Sequence, residues 1–424
     1  KTTAIQSIQN QSQDLSQKNN SNPSVGINFS ANYYNGMTPP DNSIAIANNG
    51  YIVSVQNHNI GYYNDAGDEL YLSSFYDFLG GVYNDVLYDP VVLYDSYSDR
   101  FFMVILHGNS PASSEIIVVF SQSNNPMDGW WHYSLDCSQI LATDSWFDYP
   151  KIGVSTEDVF ISGNMYSEDD QFLETVILQI DKTNGYNGDP LPFGWFSGLS
   201  NNPSTLVPLS WGQQGTYGPG LFFVGVDSYQ NRYLVYDIID SFENWENNAV
   251  YAYEILSDDI NRSPGDAPQY GTDLMLDVGD VRALNGFYLD GIVHIVFNSA
   301  YSGNYTGAAY TRLDLFNLSI DDALVFGYEN FHYAYPSVAS FATTSNDKTS
   351  AVCFLRSGES IFPQVRAVIF EDDMTQDGSI LVKDGESFVE VLANDEGVVR
   401  WGDYTGMARK HNASNPEVWL AGQY

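Results

Sequence analysis

Five aspartates stand at the openings of predicted strands, beside the Pro, Gly or Tyr residues that mark a turn: Asp41, Asp89, Asp148, Asp280 and Asp403. Carboxylates held close together repel one another, which raises the pKa of some of them or recruits a cation. Because a set of oxygen ligands suits a hard divalent ion, these aspartates are candidate ligands of a calcium ion. The alternative, which is favoured, is that each carboxylate accepts backbone N–H groups and organises the turn before its strand.

Four of these residues, Asp41, Asp89, Asp148 and Asp403, are also candidates for catalysis on a glycosidic bond. Such cleavage needs two carboxyl groups, about 5–5.5 Å apart for retention of configuration or ~6.5–9.5 Å apart for inversion, with one kept protonated. The S-x-D-x-G-x-x-W box of sialidases is absent, and the sequence shows no cluster of three arginines. A carbohydrate-active hydrolase is therefore an alternative function and not the favoured one.

Aromatic residues near predicted loops are the second group that could bind a ligand. The candidates are Trp130, Trp131, Trp146 and Tyr404. Aromatic faces can stack on sugar rings or anchor a protein partner. The alternative is that these rings pack between neighbouring sheets.

The six histidines show no H-E-x-x-H or other zinc-like spacing, so no zinc site is predicted.

The elements that would position these groups are short strands, because Gly and Asn/Asp/Ser clusters interrupt the chain every ten or so residues. An acidic or proline-marked opening recurs with a period of about 50–60 residues, which is typical of propeller blades. The openings lie at residues 39–45, 89–95, 148–154, 217–223, 279–284, 335–339 and 402–408. The prediction is an all-β protein, a β-propeller of about seven four-stranded blades, with a two-sheet sandwich as the rival.

A local repeat and the chain ends sharpen this prediction. The pattern D-S-Y-x-[DN]-R-aromatic occurs at 95–101 and 227–233, and its Arg is expected to return to a carboxylate as the next strand begins. The last apolar segment, 418–422, is expected to close the ring by pairing near residues 27–30. Residues 1–24 are rich in Gln, Asn and Ser and are predicted to be a leader or linker, with 25–424 as a single domain.

The charge balance limits the partners. The chain has 16 Lys and Arg against 53 Asp and Glu, a formal net charge of −37. Such a surface repels nucleic acid and anionic lipid, so neither is a predicted partner. No apolar run approaches the ~18–20 residues that a membrane span needs. Together with the scarcity of Lys, this composition predicts a secreted or cell-surface protein.

The openings also resemble those of a family of secreted bacterial β-propeller proteins, mostly uncharacterised. The matching motifs are Pro-Pro-Asp at 39–41, Asp-Pro-Val-Val-Leu-Tyr-Asp at 89–95, Asp-Tyr-Pro-Lys-Ile-Gly at 148–153, Leu-Asp-Val-Gly-Asp at 276–280 and Arg-Trp-Gly-Asp-Tyr-Thr-Gly-Met at 400–407. The resemblance implies a propeller fold and export from the cell. The sequence is also similar in style to proteins exported by the Bacteroidota. The resemblance implies no reaction.

The favoured hypothesis is a non-catalytic extracellular or cell-surface binding or adhesion module. It would present loop aromatics and carboxylates to a glycan or a surface protein, with calcium stiffening the loops. The alternatives are the hydrolase described above and a structural component of a larger surface assembly.

Overall fold

A computed structural model describes residues 2–10, 23–34, 36–258, 260 and 264–424; for residues 2–10 it describes the backbone alone. The chain begins with two strands, β1 (Thr2–Asn10) and β2 (Pro23–Tyr33). After them the described chain forms six four-stranded sheets, each built from consecutive strands and here called blades 1 to 6. Each blade forms antiparallel hairpins, with the first strand at one edge and the last strand at the other.

Blades 1 to 3 follow one another without interruption. Blade 1 comprises β3 (Ser43–Ile46), β4 (Tyr51–Gln56), β5 (Asn59–Asn64) and β6 (Glu69–Ser74), followed by the short helix α1 (Phe75–Phe78). Blade 2 comprises β7 (Leu87–Asp95), β8 (Arg100–His107), β9 (Glu115–Ser121) and β10 (Trp130–Asp136). Blade 3 comprises β11 (Trp146–Val154), β12 (Asp158–Tyr166), β13 (Phe172–Asp181) and β14 (Phe193–Phe196), with the helix α2 (Lys182–Asn187) before its last strand.

The remaining blades repeat this plan with longer connections. Blade 4 comprises β15 (Val207–Pro208), β16 (Leu221–Asp227), β17 (Arg232–Ile238) and β18 (Val250–Leu256). Two short strands, β19 (Met275–Leu276) and β28 (Val398–Val399), pair in parallel outside the blades. Blade 5 comprises β20 (Ala283–Leu289), β21 (Ile292–Ala300), β22 (Thr306–Asp314) and β23 (Ser319–Phe326). Blade 6 comprises β24 (His332–Ser340), β25 (Ser350–Gly358), β26 (Ile361–Phe370) and β27 (Ile380–Lys383). Short 3-10 turns lie at Pro126–Asp128, Cys137–Gln139 and Phe242–Asn247.

A further four-stranded sheet, the closing sheet, joins the two ends of the chain. Its strand order is β2, β1, β30 (Glu417–Gln423) and β29 (Gly406–Arg409). The first strands of the six blades contact one another in succession, and β29 lies between the first strands of blades 6 and 1. The all-β propeller of four-stranded blades is thereby confirmed. Blades of consecutive strands number six in the described chain, not the predicted figure of about seven.

The manner of closure differs from the prediction. Residues of β30 pair with β1, from Thr3 with Gln423 to Gln9 with Glu417, and β2 pairs with the other edge of β1. The segment 27–30 is therefore one strand away from its expected partner. The leader predicted over residues 1–24 contains a strand of the closing sheet, while residues 1 and 11–22 lie outside the described part of the chain. The single domain over 25–424 stays a prediction.

Apolar groups from adjacent sheets form the core. The strand β8 shows why: Phe101 and Phe102 point to opposite faces and each is fully buried, one against blade 1 and the other against blade 3. A strand buried on both faces reads as a continuous apolar run, and stacking sheets radially covers both faces at once. At the closure, Trp419 of β30 packs against Ile44 of blade 1.

The repeated turn pattern is confirmed in one of its two copies. Arg232 Nε donates to Asp227 Oδ2 at 2.8 Å, and Asp227 Oδ1 accepts the N–H of Gln230. In the first copy, Asp95 also accepts backbone N–H groups, but its cation partner is Lys182, at 2.9 Å, and not Arg100.

In the described residues, no helix is long and apolar enough to cross a membrane.

Candidate functional site

The first strands of the blades surround a central channel. Several of these strands begin with an irregular backbone, and this end of the channel is here called the mouth. Asp41 (φ 46°), Asp89 (φ 47°), Tyr149 (φ 58°) and Tyr335 (φ 51°) all have left-handed backbone conformations. In blades 2, 3 and 6 the strand register shifts at this residue and the Pro that follows it. Tyr149, and not the predicted Asp148, is therefore the equivalent of Asp89.

A carboxylate network ties the first blade to the closing sheet at this mouth. Asp41 is fully buried; its Oδ1 accepts the backbone N–H of Asp403 at 2.8 Å, and its Oδ2 accepts Asn57 Nδ2 at 2.7 Å. Asn57 Oδ1 in turn accepts the backbone N–H of Asp89 at 2.8 Å. The structure thus brings three of the predicted aspartates together. For Asp41 it matches the alternative in which the carboxylate organises the turn by accepting a backbone N–H.

Three basic side chains lie among these carboxylates, and sequence reasoning did not predict any of them as site residues. Lys151 is buried, with its Nζ 4.7 Å from the centre of the Tyr149 ring and 4.5 Å from that of Tyr404. The guanidinium of Arg282 also contacts the Tyr149 ring, with its Cζ 4.6 Å from the ring centre. Arg400 Nη2 donates to Asp403 Oδ2. These cation–π contacts and the carboxylates around them form a cluster of charges and rings, here called the mouth cluster. Its members are Asp41, Asp89, Asp148, Asp403, Lys151, Arg282, Arg400, Tyr149 and Tyr404.

Burial and mutual repulsion control the protonation of the mouth cluster. Burial, followed by the neighbouring charge of Asp403, raises the pKa of Asp41 well above its ordinary value. Burial and the charge of Asp148 do the same for the pKa of Asp89. The pKa of Asp148 rises to about 6, again chiefly through burial. Burial, followed by the charge of Arg282, lowers the pKa of Lys151 to about 8.

Asp280 differs from the other four predicted aspartates. Its side chain is 57% exposed and holds Arg282 through two hydrogen bonds, of 2.6 and 2.7 Å. Within the described part of the chain, no group of three or more His, Cys, Asp or Glu side chains could hold a metal ion. Protein cations lie among the carboxylates that were proposed as ligands. The calcium site stays a prediction.

The four aromatic candidates do not share one site. Tyr404 is buried in the mouth cluster, and its hydroxyl donates to the carbonyl of Pro90 at 3.3 Å. Trp146 begins β11 and donates its Nε1–H to the carbonyl of Ser167. Trp131, 39% exposed, lies on the outer strand of blade 2 against Gly188 of blade 3. Trp130 alone lines an open aromatic cleft.

This aromatic cleft lies between blades 1 and 2 and has a volume of about 230 Å³. Tyr62 and Tyr71 stack at a ring-centre distance of 4.9 Å, and Tyr62 stacks on Trp130 at 6.3 Å with an interplanar angle of 23°. Phe78 meets Trp130 edge-on at 6.0 Å. Met127, His132 and several smaller side chains complete the lining. The ring of Trp130 is fixed because its Nε1–H donates to the carbonyl of Pro126 at 3.0 Å.

Comparison with known proteins assigns neither a family nor a function. The chain matches no protein-family profile and no curated protein sequence. Among solved structures it is similar to apo AztD from Citrobacter koseri, at 10% identity and a TM-score of 0.39, over 91% of this chain and 97% of that one. The Synechocystis apocarotenoid oxygenase has 9% identity and a TM-score of 0.42, over 82% and 72% of the two chains. A protein of unknown function from Bacteroides caccae has 9% identity and a TM-score of 0.37, over 76% and 94%. Similarities this low carry no functional assignment.

Proposed function

We propose that this protein is a non-catalytic extracellular or cell-surface binding module that recognises a glycan in the aromatic cleft of blades 1 and 2. The observation that carries the proposal is the cleft itself. There the ring of Tyr62 lies within 25° of parallel to the rings of Tyr71 and Trp130. Ring faces held in fixed orientation offer apolar area at low entropic cost, which suits the C–H faces of a sugar.

The polar groups of the cleft support a glycan as the ligand. The Tyr71 hydroxyl and the exposed His132 imidazole make no hydrogen bond to another protein group in the described chain, so both are available to sugar hydroxyls. A site that is mainly apolar with a few oriented polar groups is the usual form of a small-ligand pocket. A surface protein that inserts an aromatic or aliphatic side chain is the alternative ligand.

The test is retention of the purified protein by immobilised cello-, xylo- and malto-oligosaccharides, followed by titration calorimetry with the best ligand. Replacing Trp130 or Tyr71 by Ala should weaken binding about 10-fold or more, as expected for a central aromatic anchor. Tyr229→Ala is the matched control, because this Tyr is 92% exposed and lies outside the cleft. Unchanged affinity in both cleft variants would remove the basis of the proposal.

A hydrolase is the second candidate, and one observation favours it. Asp148 and Asp403 are both partly accessible at the mouth, and the pKa of Asp148 is raised to about 6, as a general acid requires. Against this, Asp403 is paired with Arg400, and Asp41 is buried against a backbone amide. Release of reducing sugar from the same oligosaccharides would support catalysis, provided that Asp148→Asn abolishes it and Tyr229→Ala does not.

A further inference from the structure

The channel behind the mouth cluster is a cavity whose charge is opposite to that of the whole protein. It has a volume of about 200 Å³ and is lined by the first strands of all six blades and by β29. The protein carries 53 acidic against 16 basic residues. Nevertheless, among the described residues, no Asp or Glu side chain lines this cavity, whereas Lys151, Arg409 and His411 do.

Arg409 is half-buried and forms no ion pair within the described part of the chain, although the charge of Asp347 acts on it. Its Nη1 donates to the carbonyl and hydroxyl oxygens of Ser340, at 3.0 and 3.1 Å. Its Nε is buried without a hydrogen-bond partner, and so is Nδ1 of His411, whose ring also hydrogen-bonds the backbone of Gln213. An unsatisfied buried donor costs free energy, so the Nε–H of Arg409 on this cavity wall indicates that a ligand supplies the missing acceptor.

The rest of the wall is apolar. Ile44, Val92, Ile152, Val207, Leu284 and Met407 line the cavity between the mouth cluster and Arg409. A hydrated inorganic ion would gain nothing from such a wall, whereas an organic group would bury its own apolar surface there. The ligand chemistry that fits both features is one anionic group attached to an apolar body.

A loop closes the cavity near Arg409. Trp211, Gly212 and Gly215 line the cavity, and Gln213 donates to the carbonyl of Thr344 in blade 6 at 2.9 Å. From the same loop, Gln214 donates to the carbonyl of Ser96 in blade 2 at 2.7 Å. Because this loop of blade 4 bonds to blades 2 and 6, it crosses this end of the channel.

We propose that this cavity is a binding site for a small organic carboxylate, with the carboxylate between Arg409 and His411 and the apolar body along the channel wall. The carboxylate would accept the N–H of Arg409 Nε, and also an N–H from Nδ1 of His411 when the imidazole is protonated, since this ring also hydrogen-bonds the backbone of Gln213. Burial lowers the pKa of Arg409 to about 10 and that of His411 to about 3, and a bound anion would oppose both shifts. This site is separate from the aromatic cleft, so each proposal can fail without the other.

The test uses the wild-type protein first. Sodium benzoate and sodium hexanoate are compared with their neutral isosteres, benzamide and hexanamide, by saturation-transfer NMR and titration calorimetry. We expect the carboxylates to bind at least about 10-fold more tightly than the amides, because a charge-assisted hydrogen bond is about twice as strong as a neutral one. Equal affinity for acid and amide, or binding of neither, would overturn the proposal without the need for any variant.

Arg409→Gln then assigns the site. It removes the guanidinium while keeping a polar side chain, and should weaken carboxylate binding about 10-fold or more. Lys383→Gln is the control, because Lys383 pairs with Glu386 on the outer strand of blade 6. Retained affinity in Arg409→Gln would show that the carboxylate binds elsewhere. Competition by chloride or phosphate at the same molar concentration would show an inorganic anion site and would also overturn the proposal.

Discussion

The mouth and the cavity of one channel are built by the same first strands, yet they hold charge differently. At the mouth, Asp41, Asp89 and Asp403 lie among basic side chains and backbone N–H groups. In the cavity, Arg409 forms no ion pair within the described chain, and no carboxylate of the described residues lines the wall around it. At the mouth, Asp41 bonds blade 1 to the closing sheet, so its carboxylate stabilises the ring. In the cavity, Arg409 of the closing sheet bonds to uncharged groups of Ser340 in blade 6, so its charge points to a ligand instead.

The largest effect that tests this contrast should come from Asp41→Ala. The change leaves the N–H of Asp403 without its acceptor, removes one of the two acceptors of Asn57 Nδ2, which also donates to the carbonyl of Pro39, and places Ala at a positive φ of 46°. We expect the free energy of unfolding to fall by about 2–4 kcal/mol, the combined cost of the unsatisfied N–H, the lost hydrogen bond and the strained backbone. Urea denaturation measures it. Asp280→Ala, at an exposed carboxylate of the same mouth, is the control and should cost less than about 0.5 kcal/mol. Equal losses in the two variants would contradict a closing role for Asp41.

The next comparison replaces one cation in each region by Met. Lys151→Met removes the charge that offsets Asp89, Asp403 and Asp41, so it should destabilise the protein by roughly 2 kcal/mol. Arg409→Met removes a half-buried cation that forms no ion pair in the described chain, although the charge of Asp347 acts on it, so without ligand it should leave stability unchanged or raise it by about 1 kcal/mol. Parallel chemical denaturation at pH 7 measures both. A loss for Arg409→Met as large as that for Lys151→Met would erase the contrast.

Sequence reasoning could locate the mouth because its signals are local. Pro and Asp at the openings mark the backbone irregularity before each first strand, as at Asp89-Pro90 and Tyr149-Pro150. The same local signal misplaced Asp148 by one residue, since a register shift is set by pairing with the next strand and not by residue type. Lys151 directly follows Tyr149-Pro150, but its role depends on Tyr404, which is 253 positions later in the chain.

The cavity was beyond the reach of sequence reasoning for a different reason. Arg409 and His411 stand in a polar stretch that resembles an exposed hairpin. Their burial results from the loop at 211–216, which bonds across the channel to blades 2 and 6. The pairing of Thr2–Asn10 with β30 was missed likewise, because a segment rich in Gln and Ser lacks the apolar pattern that signals a strand.

A smaller effect should follow pH at Asp148. Its pKa is raised from 3.8 to about 6, so folding disfavours the charged form and stability is lost as the pH rises toward and through 6. Asp148→Asn should therefore gain about 1–2 kcal/mol over wild type at pH 8, allowing for partial solvent screening, and nothing at or below pH 4. Urea denaturation at the two pH values measures this. Asp280→Asn should show no such dependence, and a gain for Asp148→Asn that is the same at both pH values would contradict the raised pKa.

The smallest effect concerns calcium at the mouth. Lys151, Arg282 and Arg400 lie among the carboxylates that the ion would need, and Asp41 and Asp89 have raised pKa values, so an added divalent cation must displace protein cations and protons. We expect 5 mM CaCl₂ or 5 mM EDTA to shift the melting temperature by less than about 1 °C, since a ligand stabilises only in proportion to its affinity for the folded state. Scanning calorimetry of the full chain provides the measurement, with MgCl₂ at the same concentration as the ionic-strength control. A rise of several degrees with calcium alone would establish the predicted calcium site. In that case Lys151→Met should strengthen calcium binding, because one of the protein cations that compete with the ion for Asp41 and Asp89 would be gone.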